Sequence, residues 1–335
     1  MSDPAETAVV ITSIAPPNAV MRQIAGDCAT RGHRFIVIGD TKSPPDFALD
    51  GCDYFDVPQQ QALPFEFARA CPVRHYARKN IGYLVAIQGG AETIIETDDD
   101  NFPAPEFYEP LPAETELPLV ADSGWTNLYR YYTDQTIWPR GLPLDAVRSE
   151  LPPLPEPSKV RIPIQQGLAD ENPDVDAIYR LTMPLPFSFD RKLRVALGKG
   201  AWCPYNSQNT VHFREAFALL YLPSHCSFRM TDIWRSFVAQ RIAWTCGWSI
   251  LFREATVVQE RNDHDLMRDF TDEIPGYTGN RRIGEALAAL DLAQGVENLP
   301  ENLRHCYRQL VADGHVGADE LPLLDAWLAD LAALG

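Results

Sequence analysis

Three consecutive aspartates, Asp98, Asp99 and Asp100, follow directly on the short run Glu92 to Thr97 (ETIIET). Like charges this close at the end of a buried strand repel one another, and fold stability alone does not ask for them. A cation relieves the conflict. Side chains alternate along a strand, so Asp98 and Asp100 face one side, with Asp99 opposed unless the strand has already turned. Oxygen-only ligands favour a hard ion, Mg2+ or Mn2+, which often keeps open positions for phosphate oxygens. The plain alternative is a solvated acidic turn, and the apolar strand directly before the triplet weighs against it.

Arg78 and Lys79 stand where the pattern Tyr76 to Gln88 (YARKNIGYLVAIQ) begins a helix. The macrodipole disfavours cations there by a few tenths of a kcal/mol, and a bound anion reverses the sign. Free N–H groups plus two cations make a site for a diphosphate, which a metal on Asp98 and Asp100 would neutralise from the other side. Solvent-exposed basic residues are the alternative. Asp40, closing the run His33 to Gly39 (HRFIVIG), is placed either to accept hydrogen bonds from a base or ribose or to cap its own loop.

The elements that must position these groups begin with Ala8 to Ile14 (AVVITSI), a β-branched run stopped by Pro16-Pro17. Val20, Ile24 and Cys28 recur every four residues after it, and Arg31-Gly32 ends that pattern. Strand, helix and the strand HRFIVIG form a βαβ unit, whose sheet is parallel and takes ligands at the carboxyl ends of its strands. Thr41 to Pro72 reads as connecting loops apart from a short strand near Asp53 to Val57. Twelve of 28 prolines fall between Pro103 and Pro163, which excludes a continuous helix or central strand there. Trp234, Phe237, Val238, Arg241 and Ile242 mark a helix from about Asp232 to Thr245, with Asp232 in its first turn. Three Ala/Leu-rich amphipathic segments follow Gly276, at about 282–293, 301–312 and 318–333.

Composition narrows the class. The 335 residues carry 29 Lys plus Arg against 46 Asp plus Glu, a net charge of −17, so no basic face exists to displace the counterions of a nucleic acid. Neither a signal peptide nor an apolar run of about 18 residues is present, so no membrane span is expected. Seven scattered cysteines without a CxxC pair read as reduced thiols of a cytoplasmic protein.

Four blocks, ITSIAPP (Ile11 to Pro17), VIGD (Val37 to Asp40), YARKNIGYLVAIQGG (Tyr76 to Gly90) and IIETDDDN (Ile94 to Asn101), together resemble the STELLO-like glycosyltransferases. These are related to the reversibly glycosylated polypeptides, or UDP-arabinopyranose mutases. The resemblance continues through GLADENPDVDA (Gly167 to Ala177), WCPYNSQNT (Trp202 to Thr210), FRMTDIWRSFVAQR (Phe228 to Arg241) and QERNDHDLMRDF (Gln259 to Phe270). It implies a GT-A fold, an αβα sandwich with a mostly parallel sheet that holds a UDP-sugar and Mn2+ on a DxD motif. Asp98 and Asp100 would be that motif and Asp99 would lie near the ribose. Arg78 and Asn80 would hold the donor, Asp40 the uridine or ribose, and Asp232 would sit beside the acceptor. His264 falls where many GT-A enzymes place a C-terminal metal or diphosphate ligand. The mutases carry an Asp-Asp pair where this chain has Thr231-Asp232, and an arginine-bearing stretch where it has Met183, Pro184 and Leu185, which disfavours mutase activity.

The expected protein is therefore a GT-A-like catalytic domain over residues 8–275 with a small helical appendage over 276–335. It would transfer sugar from a UDP-sugar to an acceptor the sequence does not name, with Asp232 activating the acceptor hydroxyl. A non-catalytic sugar-nucleotide-binding protein acting through partner contacts is the second reading. A metal phosphohydrolase fits poorly, because Asn101-Phe102 stands where it would need a small residue and Thr or Val. At most one of Trp202, Trp234, Trp244 and Trp248 is expected to meet a sugar, since tryptophans at helical spacing are mostly core.

Overall fold

The computed structural model describes residues 6–260 and 265–335. Its centre is a ten-stranded sheet: β1 (Thr7–Thr12), β2 (Arg34–Ile38), β3 (Asp53–Phe55), β4 (Thr93–Thr97), β5 (Asn101–Pro103), β6 (Leu119–Val120), β7 (Ile164–Asp170), β8 (Arg194–Leu197), β9 (Asn209–Phe213) and β10 (Ile250–Gln259). The order across the sheet is β3-β2-β1-β4-β9-β7-β10-β8-β6, with β5 paired to β10. The half from β3 to β4 is parallel. β9 then enters antiparallel between β4 and β7, an antiparallel insertion in a sheet that is otherwise mostly parallel, as expected.

Helix α1 (Ala19–Arg31) covers one face and α2 (Lys79–Gln88) the other. Alternation along the strands decides which residues each helix meets. Val9, Ile11, Phe35, Val37 and Ile95 pack with Val20, Met21 and Ile24 of α1, whereas Ala8, Val10, Ile36, Ile38 and Ile94 pack with Ile81, Leu84 and Val85 of α2. Asn18 caps α1 by accepting from the Met21 amide, and Gly32 ends it in the left-handed region. Gly82 sets the approach of α2, because a Cβ there would lie 2.5 Å from Val10 Cγ1.

On the α2 side follow α3 (Thr231–Ala243), α4 (Leu266–Ala289), α5 (Leu299–Ala312) and α6 (Glu320–Leu334). Residue 276, expected as a domain boundary, lies inside the continuous helix α4. Ile283, Leu287, Leu303, Leu310, Leu323, Leu324, Trp327 and Leu328 join the same apolar cluster as α2 and α3. Both ends of α6 grip earlier loops. The buried Glu320 carboxylate accepts from Tyr221 Oη and from the amides of Ser224 and His225, and Asp330 caps the short helix Glu66–Ala70 through the amides of Glu66 and Phe67. The tail thus closes the core and has no core of its own. No helix among the described residues is long and apolar enough to cross a membrane.

Candidate active site

Two adjoining cavities open at the carboxyl ends of β1, β2, β4, β7 and β10. The first, about 290 Å³, is lined by Thr12, Ser13, Ile38, Gly39, Asp40, Arg74, His75 and Asp99 among others. The Asp40 carboxylate accepts from the amides of Thr41 (2.6 Å) and His75 (3.1 Å), and each oxygen keeps a second lone pair for a ligand. His75 stacks on Tyr76 with ring centroids 5.8 Å apart. Burial, with His225 nearby, pushes the His75 pKa down to about 4. Its Nδ1 accepts from the Ala77 amide, so the neutral ring carries its proton on Nε2.

The second cavity, about 280 Å³, shares Thr12, Tyr76, Asp99 and Phe228 with the first and adds Asp98, Asp100, Arg140, Asp174, Arg180, Arg229 and Asp232. Each aspartate of the triplet has a different environment. Asp98 Oδ1 accepts from Lys79 Nζ at 2.8 Å. Asp99 accepts from Ser13 Oγ, its carbonyl accepts from the α1 cap Asn18, and burial raises its pKa. Asp100 accepts from Gln259 Nε2 at 3.2 and 3.3 Å. Among the described residues no three His, Cys, Asp or Glu side chains form a metal-holding group. Two carboxylates completed by phosphate oxygens and water remain a normal arrangement for Mg2+ or Mn2+, so the donor set fits a metal that arrives with a diphosphate.

The far wall is an arginine between two acids. Arg140 donates in bidentate fashion to Asp174 (2.8 and 3.0 Å) and to Asp232 (3.1 and 2.8 Å). Gly141, at φ +89°, lets this segment approach α3, since a Cβ there would strike Ile233. Asp232 also accepts from the amides of Ser207 and Ile233. Burial would raise its pKa, but Arg140, with Arg235 and Arg229, holds it down at about 2. A carboxylate so stabilised is a weak proton acceptor. The geometry therefore gives Asp232 a clear structural duty and counts against the base role expected of it.

Two expected donor ligands are engaged by the fold. Arg78 lines the first cavity yet is only 1% exposed; its guanidinium donates to Gln60 Oε1 and to the carbonyls of Cys71 and Pro72, tying together the loop at the cavity's edge. Asn80 exchanges two hydrogen bonds with the backbone of Leu222. Arg78→Ala is accordingly expected to lower stability by about 2–3 kcal/mol, because a charged donor is lost and buried acceptors are stranded. A thermal melt checks this, and unchanged melting with lost UDP affinity would return Arg78 to the ligand. His264 lies outside the described residues.

The four tryptophans line neither cavity; Trp202 stacks on Trp125 and Trp234 donates to Asn280. The aromatic side chains at the junction are instead Tyr76 and Phe228, the latter 50% exposed and edge-on to His75 and Tyr76. Arg140, Asp174 and Phe228 were not singled out from sequence, and Lys79 was read there only as a second cation beside Arg78. Asp174 was within reach, since the block GLADENPDVDA contains it. Arg140 lies among prolines, and only the adjacent glycine hints at close packing.

In sequence the chain is similar to glycosyltransferases. The sequence model of the STELLO glycosyltransferases matches residues 229–335, so the similarity includes the tail beyond the last motif read from sequence. The probable glycosyltransferases STELLO2 and STELLO1 of Arabidopsis thaliana are 30% identical over 273 residues and 28% identical over 327 residues, covering 75% and 91% of this chain. The chain spans only 35% and 42% of their respective lengths. A crystal structure of a mycobacterial protein aligns over 84% of this chain and 73% of its own, at 12% identity and a TM-score of 0.38. The resemblance to STELLO glycosyltransferases is thus shown.

Proposed function

We propose that this chain is a metal-dependent glycosyltransferase of GT-A type that takes a UDP-sugar as donor. The observation that carries the reading is the junction of the two cavities at Asp99, with Asp98 and Asp100 beside it in the second cavity only. A nucleoside in the first cavity would meet the Asp40 carboxylate and the His75 and Tyr76 rings, and its diphosphate would reach the acidic triplet. Asp98 and Asp100 would hold Mn2+ or Mg2+, which supplies neutralisation of the departing diphosphate when bound. Asp174, Arg140 and Asp232 form the wall on which an acceptor would rest, and Asp232 there fixes the arginine. Seven free thiols support a reducing compartment such as the cytoplasm.

Calorimetric titration with UDP tests the reading. Affinity is expected to fall at least about tenfold when EDTA replaces Mn2+, and Asp100→Asn or Asp98→Asn is expected to cost a similar factor by removing one charged ligand. Equal affinity in EDTA and Mn2+ would sink the assignment.

A further inference from the structure

Lys79, expected beside Arg78 to meet a diphosphate, instead pairs with Asp98 of the acidic triplet. Its side chain is wholly buried. The three ammonium hydrogens have three acceptors: the Thr97 carbonyl at 2.8 Å, the Ser207 carbonyl at 3.2 Å and Asp98 Oδ1 at 2.8 Å. This is a costly place for a cation, being buried and at the start of α2, where the helix dipole opposes it. The other buried cations nearby are committed elsewhere: Arg140 to Asp174 and Asp232, and Arg235 to Glu96. The ammonium of Lys79 is therefore a counter-charge built into the fold at Asp98.

We propose that Lys79 is a positioning residue, a resident counter-ion that keeps Asp98 from binding divalent metal well until a nucleoside diphosphate is present, so that metal and nucleotide bind as a pair. The inference rests on the metal and diphosphate reading of the site. A divalent ion entering alone meets a carboxylate with one oxygen already taken and a fixed positive charge behind it. The unfavourable encounter is short-range and poorly screened by salt. A diphosphate adds negative charge and oxygen ligands on the open side, which offsets the ammonium. By linkage, Mn2+ then tightens UDP by the same factor as UDP tightens Mn2+.

The experiment measures Mn2+ binding to the full chain by the loss of the free-ion EPR signal, with and without saturating UDP, and needs no turnover. UDP is expected to tighten Mn2+ at least about tenfold in the unmutated protein, the scale of effect that one close charge exerts on another. In Lys79→Met, checked for folding by circular dichroism, Mn2+ is expected to bind the nucleotide-free protein about tenfold more tightly and the UDP effect to shrink. A merely structural lysine would instead leave Mn2+ binding unchanged or weakened. Equal Mn2+ affinity with and without UDP in the unmutated protein overturns the proposal even if the variant fails to fold. A folded Lys79→Met that binds Mn2+ no more tightly also overturns it, leaving the metal reading intact. No Mn2+ binding by the unmutated protein with UDP present removes both.

Discussion

A chain ending at residue 276 is expected to be recovered unfolded or aggregated, without a cooperative melting transition and without UDP affinity. The cut falls within α4 and removes α5 and α6. Leu303, Leu310, Leu323, Leu324, Trp327 and Leu328 are each at most 5% exposed, and burying six such side chains contributes on the order of 10 kcal/mol. That equals the whole net stability of an ordinary domain. The cut also strips partners from Tyr221 and from the helix Glu66–Ala70, whose loops lead into the first cavity. Light scattering and a calorimetric melt decide the matter. A soluble, cooperatively melting fragment would show that the tail is an appendage after all.

Arg140→Met is expected to be the most damaging single change in the site, costing about 3–5 kcal/mol because it takes the bidentate partner from the buried Asp232 and the partly buried Asp174. Urea unfolding measures this. Asp232→Asn, which keeps the size but removes one of the two charges, should destabilise less and should lose part of the protein's acid sensitivity. The sign follows from the depressed pKa of Asp232. Its ionised form contributes stability that is fully present above the unfolded value of about 3.9 and is lost as pH falls toward about 2. The variant should therefore show a shallower loss of stability over that window. If Asp232 served only as a base, Asp232→Asn would leave the melting curve unchanged while transfer fell ~10²–10⁴-fold.

The first half of the sheet was legible because parallel strands buried on both faces are written as apolar runs, as in Ala8–Ile11 and Ile36–Ile38. The second half was not. β7, β9 and β10 carry Gln165, Gln166, Asn209, His212, Arg253 and Glu254 in the interior, which hides the strand pattern. Several are satisfied locally: Gln165 exchanges bonds with the Leu111 backbone, Gln166 donates to the Asn209 carbonyl, and Asn209 pairs with Thr256. Such partners, 43–54 residues apart along the chain, cannot be read from a sequence. The acidic triplet declared itself through repulsion between neighbours. Choosing between Arg78 and Lys79 needed the orientation of the helix start, which adjacent basic residues do not reveal. Arg140 meets Asp174 and Asp232 only in space, from three segments that are far apart in the chain.

The insertion of β9 between β4 and β7 also bears on how the molecule comes into being. β4 is synthesised more than a hundred residues before the strand that will cover its open edge. At about 5–20 residues per second on the ribosome, the wait is on the order of ten seconds. Throughout it the fully apolar Ile94-Ile95 segment has β1 on one side and unpaired backbone groups on the other, a template for pairing with another nascent chain. The partly made polypeptide, more than the finished fold, is where this protein is exposed to aggregation.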